Sequence, residues 1–369
     1  MGGILKSTWE MLHDGRFLKK ALMIACPVAL QGMLNTIVNM VDTLMIGGLG
    51  STAIAAVGLA NKVFFVFSLL VFGIVSGGGI LAAQFWGSGD VKNIRKVLGL
   101  CVMLAMVGAM FFVVPALTAP RMVMRIFTTS EGSIELGAKY LRIAALSYPF
   151  IALTNVYVAM LRATNKVVFP VICSCIAIVV NICLNYVLIF GKFGAPTMGV
   201  AGAACATLTA RCIEVTLVLF YVYGKKLPLA CGPKGMFGWH KAFITQFLET
   251  SAPVIANEFM WGLGTTMYSL AYGRMSDDAV AAITIATTIQ DIAVVLFQGL
   301  SAATAVILGN ELGAGKLKRA EKICYPVFYP AVYCYYNSRG VSDTWKVEDH
   351  RYLQHYTGSS HGCKPVSAG

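Results

Sequence analysis

Apolar residues along this chain form long runs that are separated by short polar segments. A helix needs about 20 apolar residues to cross the hydrocarbon core of a bilayer, and eight runs reach that length. A spanning segment must satisfy its own backbone hydrogen bonds, so runs of this length predict helices even where Val, Ile and Phe are frequent. The pattern therefore predicts an all-α polytopic membrane protein. The predicted spanning runs are Ala21–Ile46, Ala53–Ala83, Val97–Leu117, Tyr140–Leu161, Val167–Phe190, Met198–Tyr223, Phe243–Tyr272 and Ala279–Leu308.

Charge agrees with this class of protein. Charged residues make up 12% of the 369 residues, about half of the roughly 25% that is typical of soluble domains. The net charge of +12 could suggest a nucleic-acid partner, but 17 Lys and Arg fall in the connectors on the N-terminal side and 6 in those on the opposite side. This bias predicts a cytoplasmic N-terminus in the plasma or inner membrane, and no nucleic-acid partner.

The chain contains an internal repeat. Pro27–Lys96 aligns without gaps with Pro253–Lys322 at an offset of 226, with 14 of 70 positions identical. Each copy opens at a Pro and closes at a Gly-x-Gly that is followed by two Lys. The copies start six helices apart, an even number of crossings, so they have the same orientation. Parallel repeats of this kind predict a two-lobed helical bundle.

The repeat and the composition predict five segments. After Ile323 the second copy loses the pattern of the first, which favours a truncated or frame-shifted end over a native soluble tail. The predicted segments are a cytoplasmic amphipathic N-terminus (1–20), a six-helix lobe (21–223), a cytoplasmic inter-lobe linker (224–242), a partial second lobe of about two helices (243–323) and an aberrant non-membrane tail (324–369).

Several motifs, in order, resemble the multidrug and toxic compound extrusion (MATE) family. They are PVALQGMLNTIVNMVDTLMIGGLGSTAIAAVG from Pro27, LRATNK from Leu161, NICLNYVLIFG from Asn181, GVAGAACAT from Gly199 and ARCIE from Ala210. The resemblance covers about residues 20–323. It implies twelve helices in two six-helix lobes, of which this chain has eight. It also implies efflux of small cationic amphipathic compounds, driven by a sodium or proton gradient.

The first spanning run carries the strongest candidate for ion coupling. Asn35, Asn39 and Asp42 are spaced to share one helix face, and Asp42 matches the first-helix aspartate of the MATE family. Ionisable groups inside a bilayer are costly and are therefore candidates for function. The alternative is an interfacial carboxylate. Lys62 either pairs with Asp42 or extends outward to the membrane surface.

The fifth run adds two amides, Asn181 and Asn185, one helical turn apart. Many MATE proteins have Asp where Asn185 stands, so the first lobe keeps one carboxylate where those proteins have two. The two asparagines either line a polar cavity or join helices by hydrogen bonds.

The second lobe and two prolines complete the candidates. Glu258 matches the family's helix-seven glutamate, and Asp291 with Gln290 falls at a similar depth. Pro27 and Pro253 are either first-turn prolines or hinges. The predicted coupling residues are Asp42, Glu258 and Asp291; the predicted polar lining residues are Asn35, Asn39, Asn181, Asn185 and Gln290; the predicted hinges are Pro27 and Pro253.

These features favour a secondary active exporter that exchanges H+ or Na+ for its substrate by alternating access. We expect a monomer in the lipid bilayer, without metal or cofactor. An intramembrane enzyme is disfavoured, because the spanning runs contain no His and no paired acids at matched depth. A lipid-linked oligosaccharide flippase of similar architecture and a non-functional fragment of an exporter remain as alternatives.

Overall fold

Long helices build this protein. The computed structural model describes residues 15–128, 130–273, 294–295, 298–317 and 319–320, and in these residues the regular structure is helical, without strands. The prediction of an all-α protein is confirmed. The helices are α1 Gly15–Gly47, α2 Ser51–Gly87, α3 Val91–Thr118, α4 Pro120–Arg125, α5 Glu131–Ala144, α6 Tyr148–Ala163, α7 Val168–Phe190, α8 Val200–Gly224, α9 Pro233–Met236 and α10 Lys241–Gly273, and residues 298–313 are also helical.

The first six predicted spanning runs coincide with six membrane-length segments. Within the described part of the chain, α1, α2, α3, α5 with α6, α7 and α8 are long and apolar enough to cross a membrane. The seventh run is helical within α10, whereas most of the eighth, like the tail after 323, lies outside the described residues. The chain is a multi-pass membrane protein.

The fourth run is not one continuous helix. It is divided into α5 and α6 by a 3-10 turn, Ala145–Ser147. Pro149 explains the division, because it has no N–H to donate to residue 145 and its ring crowds that carbonyl group. The Ser147 hydroxyl donates to the carbonyl oxygen of Ala144 at 2.6 Å, which satisfies one of the exposed acceptors at the turn.

The best-packed core lies among α2, α3, α5 and α6. The Phe67 ring is fully buried and stacks on Tyr148 with 4.8 Å between ring centroids. Large apolar side chains such as Phe111 on α3 and Phe220 on α8 point outward and are exposed. Exposed apolar surface on this scale is expected where a bundle faces lipid.

The Gly-x-Gly connector between α2 and α3 is a pair of helix caps. Gly89 has φ of 78°, in the left-handed region that glycine reaches without strain. Asp90 then caps α3, since its Oδ1 accepts from the backbone N–H of Asn93 at 3.0 Å. Gly315, at the equivalent place in the second copy, has φ of 71°.

The connector between α8 and α10 is attached to α3. The Arg95 Nε donates to the carbonyl oxygen of Pro228 at 2.8 Å, and the Trp239 indole N–H donates to the carbonyl oxygen of Lys96 at 3.0 Å. The Lys96 ammonium lies 5.7 Å from the centre of the Phe243 ring. Residues on both sides of α9 are thereby fixed to one end of α3.

The two repeat copies pack against each other through glycines, and the contacts are reciprocal. Helices α1 and α10 each have 33 residues, and their bounds differ by the same 226 residues as the repeat. Each close approach of a glycine to the other copy has a counterpart at that offset. The matched contacts are Gly73 to Ile255 with Gly299 to Ala29, and Gly87 to Asn310 with Gly313 to Gln84.

Candidate functional site

A polar cluster joins α1, α7 and α8; we call Asp42, Asn181, Asn185 and Thr207 the Asp42 cluster. The Asn185 Nδ2 donates to Asp42 Oδ1 at 2.6 Å and to Asn181 Oδ1 at 3.2 Å. The Asn181 Nδ2 in turn donates to Thr207 Oγ1 at 3.4 Å. Because the asparagines are one turn apart on α7, a single face of that helix reaches both neighbours.

The Asp42 cluster has unused oxygen ligands. Asn185 is fully buried, and its Oδ1 has no hydrogen-bond partner in the described part of the chain. Asp42 is half-buried and receives its bond from Asn185 on Oδ1 alone. A buried amide oxygen beside a carboxylate can accept a proton donor or ligate a small hard cation.

A second polar cluster links α1, α6, α7 and α8; we call Gln31, Arg162, Ser174, Arg211 and Glu214 the Glu214 cluster. The Ser174 hydroxyl donates to Glu214 Oε1 at 2.7 Å, and Arg211 donates to Glu214 Oε2 at 2.7 Å. The Gln31 Nε2 donates to the Ser174 oxygen at 2.7 Å, and Arg162 donates to Gln31 Oε1. Both oxygens of the buried Glu214 are thus satisfied.

Arg211 connects the two clusters. Besides its ion pair with Glu214, its guanidinium attracts the Asp42 carboxylate electrostatically. Its side chain is 34% exposed and faces a cavity of about 40 Å³ between α1, α6 and α8. The polar residues that line this cavity are Gln31, Asn35, Thr154, Asn155, Arg211 and Glu214.

Comparison with known proteins agrees with this arrangement of two repeat copies. A family model described as MatE matches residues 27–187 and again residues 253–335. The chain belongs to the MatE family. The second match begins at Pro253, which is the residue that aligns with Pro27 in the internal repeat.

Curated relatives of this MatE chain are described as multidrug resistance proteins. The chain is 28% identical over 299 residues to the probable multidrug resistance protein NorM of Thermotoga maritima, covering 80% of this chain and 64% of that protein. It is 25% identical over 308 residues to the probable multidrug resistance protein YoeA of Bacillus subtilis, covering 80% of this chain and 65% of that protein. The chain therefore spans about two thirds of the length of these relatives, and less than two thirds in both cases.

Solved structures share the fold. A MATE protein crystallised with MaD3S superposes with a TM-score of 0.76 at 21% identity, over 84% of this chain and 70% of that one. An outward-facing multidrug resistance MATE family transporter gives 0.75 at 20% identity, over 86% and 71%. At these identities the likeness concerns the fold.

The structure of this MatE chain places the predicted residues of the first lobe unequally. Asp42, Asn181 and Asn185 lie together in the Asp42 cluster. Asn35 lines the cavity, whereas Asn39 is exposed and belongs to neither cluster. Their roles in coupling or lining stay predictions.

The two interpretations of Lys62 are now distinguishable. The Lys62 side chain is exposed on α2, and no ion pair with Asp42 occurs among the described residues. The interpretation that Lys62 pairs with Asp42 is therefore wrong for this structure.

The second-lobe candidates are only partly placed. Glu258 is half-buried on α10, and the Asn257 Nδ2 lies 3.5 Å from its Oε1. Asp291 and Gln290 lie outside the described residues, so their pairing with Glu258 stays a prediction.

Pro27 and Pro253 are interior prolines. Each is the thirteenth residue of its 33-residue helix, α1 or α10, so the first-turn interpretation is wrong. An interior proline removes the hydrogen bond to the carbonyl group four residues earlier and weakens the helix at that point. This position is suitable for a hinge, which stays a proposal.

The Glu214 cluster was missing from the residues predicted as a site. One signal for it does exist, since Arg211 and Glu214 are charged residues three apart inside an apolar run, where an unpaired charge would be costly. Arg162 was predicted in a connector but lies in the last turn of α6. Gln31 and Ser174 carry no comparable signal, because an isolated polar residue in an apolar run has many explanations.

Proposed function

We propose that this MatE protein exports amphipathic small molecules and takes up H+ or Na+ in exchange. The main support is the Asp42 cluster, a carboxylate within the membrane-spanning bundle that is held by a buried amide. Among the described residues, the chain has no other carboxylate that combines this depth with an open ligand position beside it. The description of its relatives as multidrug resistance proteins agrees with export.

In this proposal the ion acts on the bond between α1 and α7. Hydrogen bonds to an ionised carboxylate are about twice as strong as neutral ones, so the Asn185–Asp42 bond is strongest while Asp42 is charged. A proton on Asp42, or a sodium ion held by Asp42 and the Asn185 Oδ1, neutralises the charge and weakens this bond. The part of α1 beyond Pro27 can then move relative to α7.

The second lobe would move against the first along the glycine contacts between the repeat copies. Glycines let helix backbones approach closely, and the reciprocal contacts of α2 with residues 298–313 lie on this boundary. Glu258, with Asp291, would supply a second coupling group. Rocking of one lobe against the other would expose the substrate cavity to each side in turn.

A lipid-linked oligosaccharide flippase is less well supported. It would have to hold a pyrophosphate, which carries several negative charges and fills much more than the 40 Å³ of the cavity. The positive charge of Arg211 is also balanced by Glu214. Export of small molecules is the better fit to a cavity of this size.

The proposal predicts that Asp42→Asn abolishes export. The amide is nearly isosteric with the carboxylate but carries no charge for an ion to neutralise, so we expect efflux of a fluorescent cationic dye to fall at least about tenfold. The measurement is dye loss from energised cells that express residues 1–369, normalised to the amount of protein in the membrane. Glu135→Gln is the matched control, because it also replaces a carboxylate by an amide but at an exposed site.

Two outcomes would contradict this proposal. Unchanged efflux with Asp42→Asn would remove Asp42 from coupling. Absence of efflux with the unaltered chain, despite normal insertion in the membrane, would favour the alternative of a non-functional fragment. Robust resistance of cells that express the chain would exclude that alternative.

A further inference from the structure

The cavity beside Arg211 differs from a simple cation site in the hydrogen-bonding groups that it leaves unused. Both Glu214 oxygens are occupied, Oε1 by Ser174 and Oε2 by Arg211. Gln31 is occupied at both ends, since its Nε2 donates to Ser174 and its Oε1 accepts from Arg162. The charged acceptor of the cavity and the best-placed amide acceptor are therefore already bonded within the protein.

The donors of the cavity are largely unused. A guanidinium has five N–H groups, and within the described residues only one bond of Arg211, that to Glu214, is formed. Thr154 is 5% exposed, and its hydroxyl lacks a hydrogen-bond partner in the described part of the chain. A buried hydroxyl without a partner costs free energy, which a ligand that accepts its hydrogen bond would recover.

Two amides extend this set of donors. Asn35 on α1 and Asn155 on α6 line the same cavity and are exposed to it. An amide can donate or accept, so these residues adapt to the ligand, while Arg211 sets the sign of the charge that is preferred. With Glu214 compensated by Arg211 and Ser174, the nearby Arg162 leaves the surroundings of the cavity with a positive excess.

We propose that this cavity binds a carboxylate group of the exported compound, with Arg211 as the residue that selects it. The inference rests on the proposed export function and names its substrate class: amphipathic compounds that carry a carboxylate as well as a cationic group. Arg211 would bind the carboxylate through two parallel N–H donors, the geometry for which a guanidinium is suited. Thr154 would donate to the same group.

The size of the cavity limits the ligand to this one group. A water molecule occupies about 30 Å³ in the liquid, so 40 Å³ admits a carboxylate or one to two waters. The rest of the compound would lie outside the cavity, on the side where Arg211 is exposed. A bound water is therefore the competing occupant, and the experiment must separate the two.

A matched pair of dyes tests the proposal: a rhodamine with a free carboxylate and its methyl ester. Their binding to the purified full chain in detergent is measured by fluorescence anisotropy, without a membrane or an ion gradient. We expect the acid to bind about tenfold more tightly than the ester, the effect of a charge-assisted hydrogen bond. Arg211→Lys should keep part of this ratio, because it keeps the charge but loses the planar pair of donors.

The decisive variant is Arg211→Gln with Glu214→Gln, which removes both charges and leaves no buried carboxylate unpaired. We expect it to bind acid and ester equally, with ester affinity unchanged. Because general damage to the fold would weaken both dyes, the ratio reports on Arg211 alone. Arg125→Gln, which removes an exposed cation far along the chain from the cavity, should leave the ratio as it is.

The outcomes are distinct from those for export. Equal affinity for acid and ester in the unaltered chain would overturn the proposal and indicate a cavity that holds only water. Persistence of the ratio in the double variant would also overturn it. Loss of efflux in cells with the ratio intact would reject export and leave the carboxylate site standing.

Discussion

At the scale of single residues, the ion pair of Arg211 and Glu214 is held asymmetrically. Glu214 is 3% exposed, whereas the Arg211 side chain is 34% exposed. A buried carboxylate without a partner loses its hydration and gains nothing in return, so the cost of breaking the pair falls mainly on the glutamate. Ser174 compensates only one of its two oxygens.

This asymmetry predicts a non-additive effect on stability. Arg211→Gln should lower the free energy of unfolding by roughly 1–3 kcal/mol, because it leaves a buried charge with a neutral partner. Adding Glu214→Gln should recover most of this loss. The melting temperatures of the single and double variants in detergent provide the measurement, and a double variant less stable than Arg211→Gln alone would contradict the argument.

At the scale of helices, the boundary between the repeat copies depends on the absence of side chains at a few positions. A Cβ at Gly87 would overlap the backbone of Asn310, and one at Gly313 would overlap the backbone of Gln84. Backbone atoms cannot turn aside as a flexible side chain can, so a methyl group must push α2 away from residues 298–313. Gly79, on the same helix, faces open space.

We therefore expect Gly87→Ala and Gly313→Ala each to destabilise the protein by about 1–3 kcal/mol, the usual cost of overpacking. Gly79→Ala should be neutral or stabilise α2 by up to about 1 kcal/mol, since alanine favours a helix over glycine. Thermal unfolding of the three variants in detergent tests this. Similar melting temperatures for Gly79→Ala and Gly87→Ala would show that the close approach does not matter.

At the scale of the whole molecule, the connectors determine which way the bundle sits in the membrane. The excess of Lys and Arg on one set of connectors predicts that the N-terminus and the connector after α8 face the cytoplasm. Lys225 follows α8 and Lys192 follows α7, so one spanning helix separates them and they must lie on opposite sides.

Cysteine labelling tests this orientation. In a variant whose native cysteines are replaced by alanine, we expect an impermeant maleimide to label Lys192→Cys on intact cells but not Lys225→Cys. Permeabilised cells should label both, which controls for reactivity. Labelling of Lys225→Cys alone on intact cells would mean that the protein is inserted with the opposite orientation.

The sequence alone determined the helices and their repetition, and it identified part of the Asp42 cluster. Spanning helices follow from local composition, because a backbone in lipid must satisfy its hydrogen bonds within each segment. Asp42 and Asn185 could be named as candidates because polar groups are conspicuous in such runs. The interruption at Pro149 was missed, since apolar composition continues through it.

Only the tertiary structure decided which polar groups meet. The bonds of Gln31 to Ser174 and of Asn185 to Asp42 each join residues 143 positions apart, and their helices are brought together by packing that involves the whole bundle. The rotation of each helix about its axis decides whether a serine or an amide faces lipid or a partner, and an isolated polar residue does not record that rotation. For this reason the sequence indicated a carboxylate in the membrane, while the cavity beside Arg211 and its unused donors came from the packing of α1, α6 and α8.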